Sequence, residues 1–389
     1  MRKVTILGTG MTKFGKDLDS SLKTLSHEAI TKCLSDANIS KDKIEAAYVG
    51  NSVAGLITGQ ETIRGQVMLR ESGIGGIPIF NTENACASSS TAFHLAWLGI
   101  ASGMYECVLV TGVEKMTHED RTKTFLAYES GLDVETITSS SKQSTHSIFM
   151  EVYAEKAKVY MEKYGVTKEH LARIAAKNHT NGSLNPYAQK NIPMTYEDVL
   201  NDKIIVNPFT KAMCSPISDG GAAIILCSEN FARKHTTNLV YVSGSIVNST
   251  SINQDSNVIE ITSKKAYSQA GISPEELDVI EVHDATASAE LIAYEQIGLC
   301  GIGEGKLLVE EGVTNIEGVK PVNPSGGLES KGHPIGATGL GQIIEITWQL
   351  QGRAGKHQIN GKPRIGLAQN AGGHLGSENA ACTITILER

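Results

Sequence analysis

Ala37-Asn38-Ile39-Ser40, followed by Val49-Gly50-Asn51, returns later in the chain as Ala270-Gly271-Ile272-Ser273 and Val282-His283-Asp284. Both pairs share one offset of 233 residues with no gap, and Lys41 to Ile44 matches Pro274 to Leu277 in type, a helical turn leading into a strand. Ahead of the first copy, Val4 to Leu7 is a β-branched run stopped by Gly8. Leu22, Leu25, Ala29, Ile30 and Cys33 then recur near helical spacing. A looser echo follows. Cys86 opens a small-residue helix, Ala87 to Gly103, that leads into the strand Cys107 to Thr111; His333 precedes another, Gly336 to Gly352, that leads into Arg364 to Ala368. Matching elements in matching order predict a duplicated αβ unit, with each half building one sheet.

Residues 120–235 have no counterpart in the second copy. They are polar and helix-rich (Glu151 to Tyr164, then Lys168 to Asn181) and read as an insertion over the core. The chain therefore divides into an N-terminal half (1–119), an inserted loop domain (120–235) and a C-terminal half (236–389). No low-complexity linker separates the halves, so they are expected to share an interface.

The 389 residues are 40% hydrophobic and 20% charged, which supports a large buried core and excludes disorder as the overall description. Glycine, at 39 residues, exceeds its usual share of roughly 7% and suits tight turns and close backbone approach. A net charge of −7 argues against a nucleic-acid or anionic-membrane protein. The opening MRKVTILGTG is broken by glycine too early for a signal peptide, and no run approaches the roughly 18 apolar residues of a membrane span. Seven cysteines, with no CxxC pair, argue against a disulfide framework or a zinc site and for a reducing cytoplasm.

Four segments can carry chemistry. In Asn84-Ala85-Cys86-Ala87-Ser88-Ser89-Ser90 a cysteine stands at a helix start, where unpaired N–H groups and the macrodipole stabilise a thiolate. The segment alone leaves a nucleophile and a buried structural cysteine both open. Asn323-Pro324-Ser325-Gly326-Gly327 runs into Lys331-Gly332-His333-Pro334-Ile335-Gly336-Ala337-Thr338-Gly339, a glycine-rich loop whose composition suggests exposure, with His333 just before a helix. His283-Asp284 ends a strand, where α/β folds place active groups; a capping Asp beside a satisfied His fits equally. Gln369-Asn370-Ala371-Gly372-Gly373-His374-Leu375-Gly376 is a further glycine loop, able to aim N–H groups at an oxyanion. Other motifs fail: Gly8-Thr9-Gly10 has Lys13 where a dinucleotide-binding loop needs glycine, and there is no Walker A loop or HExxH.

One Cys, two His and a late glycine loop over a duplicated αβ unit resemble the thiolase family. Gly112-Val113-Glu114-Lys115-Met116, Ser218-Asp219-Gly220-Gly221-Ala222 and the His333 loop stand at family spacing, and the match runs along nearly the whole chain. His283-Asp284 makes it most similar to the sterol-carrier-protein-type branch. The resemblance implies an α/β thiolase fold with a five-layered αβαβα core, a loop domain over the active site, at least a homodimer, and acyltransferase activity. In that activity a 3-oxoacyl-CoA is cleaved with coenzyme A as co-substrate, or the reverse Claisen condensation is run, with no permanently bound cofactor. It assigns Cys86 as the acyl-accepting nucleophile and His333 as its base. His283 would hold one oxyanion site, and Gly372 with the Cys86 N–H would form the other.

This sequence departs from the pattern at the second acid/base, normally a cysteine. The two family positions hold Asn370 and Ala285 here. His283, His374, a water or a partner's group is left to protonate the enolate. Divergent thiolases of this kind, such as those acting on acetoacetyl-CoA or benzoylsuccinyl-CoA, pair with a small OB-fold protein carrying a zinc ribbon. The resemblance implies such a partner here, and the polar tail loop Gly373 to Asn379 looks more like the group that acts on benzoylsuccinyl-CoA, which is bacterial, than the archaeal one. Two other readings are a retro-aldolase of the same superfamily, which needs no acyl-accepting thiolate, and a non-catalytic CoA-ester-binding scaffold, which gains nothing from Cys86 and His333.

Overall fold

A computed structural model describes residues 2–136, 146–252, 257–376 and 378–389, so Ser377 of the tail loop lies outside the described residues. The chain opens with strand β1 (Val4–Met11), helix α1 (Leu22–Ala37), β2 (Ala46–Gly50), the edge strand β3 (Ile79–Thr82), α2 (Ser88–Ala101) and β4 (Cys107–Glu114). The inserted region carries α3 (Arg121–Glu129), α4 (Ile148–Tyr164), α5 (Lys168–Leu184) and a small hairpin, β5 (Ile204–Val206) with β6 (Phe209–Thr210). The chain returns to the sheet as β7 (Gly220–Ser228). The second half contributes β8 (Val240–Ser249), α6 (Val258–Ala270), β9 (Val279–Glu281), α7 (Ala287–Gln296), the short α8 (Gly327–Lys331), α9 (Ile335–Gln351), β10 (Ile365–Leu375) and β11 (Glu378–Glu388).

The duplication is explicit in the strand order, β3-β2-β4-β7-β1 in one half and β8-β11-β10-β9 in the other. Ala47 pairs in parallel with Ile79 on one side and Leu109 on the other. Its equivalent 233 residues on, Ile280, pairs in parallel with Val322 and Leu367. Val322 is thus what remains of a fifth strand in the second half. The helix ends repeat as well: Asn38 (φ 51°) closes α1 and Gly271 (φ 74°) closes α6, both left-handed, from the two residue types that tolerate this conformation best.

The halves join edge to edge through Thr5–Tyr241 and Ile6–Val240, making one nine-stranded sheet rather than two separate ones. Helices α2 and α9 pack on each other and against strands of both halves, which puts them between the half-sheets. With α1 outside β1 and β7, and α6 outside β8 and β11, the result is the αβαβα sandwich. Strands covered on both faces must be apolar throughout, and β1, β2, β4 and β7 are buried at every residue. The central helices cross so closely that a Cβ on Gly339 would lie 2.7 Å from Ser90 Cβ, which accounts for the small residues around Ser88–Ser90.

One boundary is corrected. Strand β7, assigned from sequence to the 120–235 insertion, lies between β4 and β1 and is paired with both. Its polar neighbours hid it, but its fully buried Gly-Gly-Ala-Ala-Ile-Ile-Leu-Cys run can only be a central strand. The helices before it pack through Ala154, Ala157, Leu171, Ile174 and Phe209 onto Leu291 of α7, so the inserted region rests on the second half.

Candidate active site

The two central helices begin at the same place, and their N-terminal segments carry the reactive side chains. Cys86 does not open α2 itself. It sits on a 3-10 turn, Ala85–Ala87, that leads into the helix. Ala85 adopts φ 48°, a strained value for a residue with a Cβ. The strain is held by the Ser88 hydroxyl, which donates to Ala85 O (2.6 Å), while Asn84 N–H donates to Ser88 Oγ (3.0 Å).

His333 precedes α9, and its Nε2 lies 3.3 Å from Cys86 Sγ. The Thr338 hydroxyl gives its hydrogen to Pro334 O (3.1 Å), so at 2.7 Å from His333 Nδ1 it accepts from that ring N–H. The free lone pair of Nε2 therefore faces the thiol, the tautomer a general base needs. The backbone N–H of His333 donates to Ser218 Oγ at 2.9 Å. Asp219, next in the chain, accepts from the N–H groups of Met116 (2.6 Å) and Thr117 (2.8 Å), tying two sequence motifs together beneath the site. The glycine-rich loop is buried from Pro321 to His333, contrary to the exposure its composition suggests. Its glycines allow close packing: a Cβ on Gly327 (φ 58°) would lie 2.1 Å from Asp284 Oδ2.

His283 stands just beyond β9, edge-on to His333 with ring centroids 5.0 Å apart. Asn370 Nδ2 is 3.0 Å from His283 Nδ1 and donates to it, leaving the proton on Nε2 as a donor. Asn370 Oδ1 faces Ser90 Oγ at 3.1 Å. Asp284 is the capping residue: it accepts from Leu328 N (2.7 Å) and Asn178 Nδ2 (3.1 Å), fixing the His333 loop to the strand end that bears His283.

Burial sets the protonation states. The Cys86 thiol is pushed up to about 12 by burial and then by Glu114, against the pull of the Gly373 and Cys86 N–H groups. The helix-start argument for a resting thiolate fails here, because desolvation outweighs the dipole. His333 is held well below its ordinary value by burial and by His283, and His283 falls to about 3 by burial. At rest the pair is a neutral thiol facing a neutral imidazole.

The Gly373 N–H approaches the Cys86 sulfur, next to Gly372, where the sequence reading places one oxyanion donor. Gly372 is paired with Ala381 in the hairpin, and a Cβ there would lie 2.0 Å from Asn84 O. Gly373 follows with φ 61°.

A cavity of about 420 Å³ joins these groups. Cys86, His283, His333 and Gly373 lie on its wall beside Ala285, which brings no thiol. Among the described residues, five cationic ones line it, Lys16, Arg121, Lys190, Lys203 and Lys211, in a chain whose net charge is −7. Cys214 also lines it, held by a contact from Sγ to Thr210 O at 3.4 Å. None of these was legible in sequence, since most belong to the insertion and carry no local motif. One donor atom from each of Cys86, His283 and His333 lies within 4.8 Å of the others, a set of the types zinc accepts.

A thiol with a base poised on it, two further donors opposite and a cationic lining suit an acyl-transfer site. The chain belongs to the thiolase family: residues 4–230 match the thiolase N-terminal domain and residues 243–388 the thiolase C-terminal domain-like family. It is 38% identical to acetyl-CoA acetyltransferase of Methanothermobacter thermautotrophicus over 97% of this chain and 98% of that one. It is 36% identical to human sterol carrier protein 2 (96% of this chain, 70% of that) and 33% identical to benzoylsuccinyl-CoA thiolase subunit BbsB of Thauera aromatica (98% of each). The fold also matches the solved Ltp2-ChsH2(DUF35) aldolase, with a TM-score of 0.79 at 22% identity over 98% of this chain and 97% of that one. The protein is an acyltransferase.

Proposed function

We propose that this chain cleaves a 3-oxoacyl-CoA with coenzyme A, or runs the reverse condensation, through an acyl group carried on Cys86. The supporting observation is the 3.3 Å approach of His333 Nε2, lone pair forward, to Cys86 Sγ. His333 takes the thiol proton as the sulfur attacks the 3-keto carbon, and the Gly373 and Cys86 N–H groups face the oxygen that gains charge. The C2–C3 bond then breaks, and the electron pair leaves as the enolate of a CoA ester. His283 Nε2–H faces that enolate and steadies it while the proton His333 took from Cys86 is relayed through a water to its carbon, which leaves His333 neutral again. Incoming CoA loses its thiol proton to His333 and attacks the thioester, freeing Cys86. The five cations suit the phosphates of CoA.

The three-part division of the chain, with β7 returned to the core and the rest of the loop domain as roof of the site, belongs to the same reading. So does a homodimer: β3 is an edge strand, and Phe80 upon it is 41% exposed. A small OB-fold zinc-ribbon partner is supported by the naming of BbsB as a subunit and by the DUF35 component of the aldolase complex. No described helix is long and apolar enough to cross a membrane, and all seven cysteines are free, in keeping with a cytoplasmic site of action. The test is steady-state thiolysis of a 3-oxoacyl-CoA by the chain with and without its genomic neighbour. Ping-pong kinetics are expected; a ternary-complex pattern would sink the covalent route.

A further inference from the structure

The cavity wall beyond Cys86 carries groups that acyl transfer does not use. His374 is 3% exposed, and among the described residues neither of its ring nitrogens has a hydrogen-bond partner. The residue is firmly placed: its N–H donates to Gly131 O (3.0 Å), and it pairs with Asn379 across the hairpin. Its ring lies 5.6 Å from Phe149 and 5.5 Å, edge-on, from Tyr153, and Tyr128 stands edge-on to Phe149 at 6.4 Å. All four rings line the same cavity as Cys86 and His283. Among the described residues, neither the Tyr128 nor the Tyr153 hydroxyl is hydrogen-bonded.

Buried polar groups in folded proteins are almost always satisfied, so an imidazole orphaned at a cavity wall awaits a ligand group. An acetyl group has no oxygen beyond its thioester carbonyl and too little surface to meet four rings. An aromatic acyl group offers a face and an edge to such a cluster, in the edge-on and offset arrangements that aromatic pairs prefer. Burial and Lys156 hold His374 at about 3, so it presents one donor and one acceptor rather than a cation. That pattern suits a hydroxyl, which both gives and takes a hydrogen bond, better than a carboxylate.

Building on the Cys86 acyl-enzyme reading, we propose that the acyl group taken by Cys86 bears a ring with a neutral hydroxyl, and that His374 is the residue that selects it. Tyr128, Phe149 and Tyr153 pack the ring; His374 reads the oxygen.

The test compares acylation of Cys86 in the full chain by acetyl-CoA, phenylacetyl-CoA and its 3- and 4-hydroxy derivatives, followed by mass spectrometry in single turnover. Phenylacetyl-CoA should exceed acetyl-CoA by at least about tenfold in kcat/KM, and one hydroxy derivative should gain about another tenfold. His374→Phe keeps a ring and removes both nitrogens. It should abolish the hydroxyl gain while leaving the phenylacetyl-over-acetyl ratio, a split that a merely structural role would not produce. Acetyl-CoA reacting as fast as phenylacetyl-CoA, or His374→Phe retaining the hydroxyl gain, overturns the proposal while leaving the thiolase reading in place. Absence of an adduct from every donor overturns both.

Discussion

Gly50 and His283 occupy equivalent places at the strand ends of the two halves, yet one is structural and the other faces the chemistry. At Gly50 a Cβ would lie 2.5 Å from Ser89 Cα, so α2 packs where a side chain would go. At 283 the same place opens on the cavity, and an imidazole fills it. The next residues diverge likewise. Asn51 Nδ2 donates to Glu114 (2.8 Å) within its own half, whereas Asp284 anchors the loop that delivers His333. Duplication supplied two similar frames whose central helices start side by side. In the proposed mechanism the first half contributes the nucleophile, the second the base and the opposing donor.

The comparison breaks most readily at His333. His333→Ala should lower acyl transfer by about 10²–10⁴-fold, and activity within tenfold of the parent would remove the base from the second half. Since the loop is buried, the variant's fold should be checked by circular dichroism alongside.

The protonation state gives the next largest effect. With the thiol pushed up to about 12, alkylation of Cys86 by iodoacetamide should rise about tenfold per pH unit from roughly pH 7 to 10. A rate already level near pH 7 would indicate a resting thiolate–imidazolium pair instead.

His283→Ala sharpens the division of labour within the second half. Acylation from a simple thioester should fall less than about tenfold, while carbon–carbon cleavage should fall about 10²-fold or more. Equal losses in both half-reactions would contradict the enolate assignment.

Gly50→Ala probes the structural member of the pair. Forcing a Cβ against the α2 backbone should cost about 1–3 kcal/mol, read from the urea midpoint. An unchanged midpoint would show that α2 can withdraw.

The smallest effect concerns the buried acids behind His283. Asn178 Nδ2 lies 3.1 Å from Asp284, 2.7 Å from Glu290 and 3.1 Å from Glu329. Burial and Glu290 push Glu329 from 4.5 up to about 8, so the folded state keeps a proton that the unfolded state has released. Stability should therefore fall as pH rises from about 4.5 to 8, and Glu329→Gln should flatten that slope by about one proton. An unaltered slope would place the titration elsewhere.

Much of this was legible in sequence, because the repeat kept an ungapped offset and conserved its physical signals, such as the left-handed cap at Asn38 and Gly271. Cys86, His283 and His333 stood out against small and glycine neighbours. What misled was burial, which a sequence does not display. It hid β7 among polar flanks, made a glycine-rich loop look exposed, and reversed the expected effect on the thiol. The cations and aromatic rings come mostly from the insertion, where no spacing links them to the cavity they line.

In the proposed mechanism a nucleophile from one half is activated by a base from the other. The most direct measurement is intact-mass and peptide analysis of the protein after brief exposure to a 3-oxoacyl-CoA without free CoA. The predicted result is a single acyl adduct on the Cys86 peptide, absent in Cys86→Ala, strongly diminished in His333→Ala, and discharged on adding CoA. An adduct on Cys214, or turnover that persists in Cys86→Ala, would contradict it.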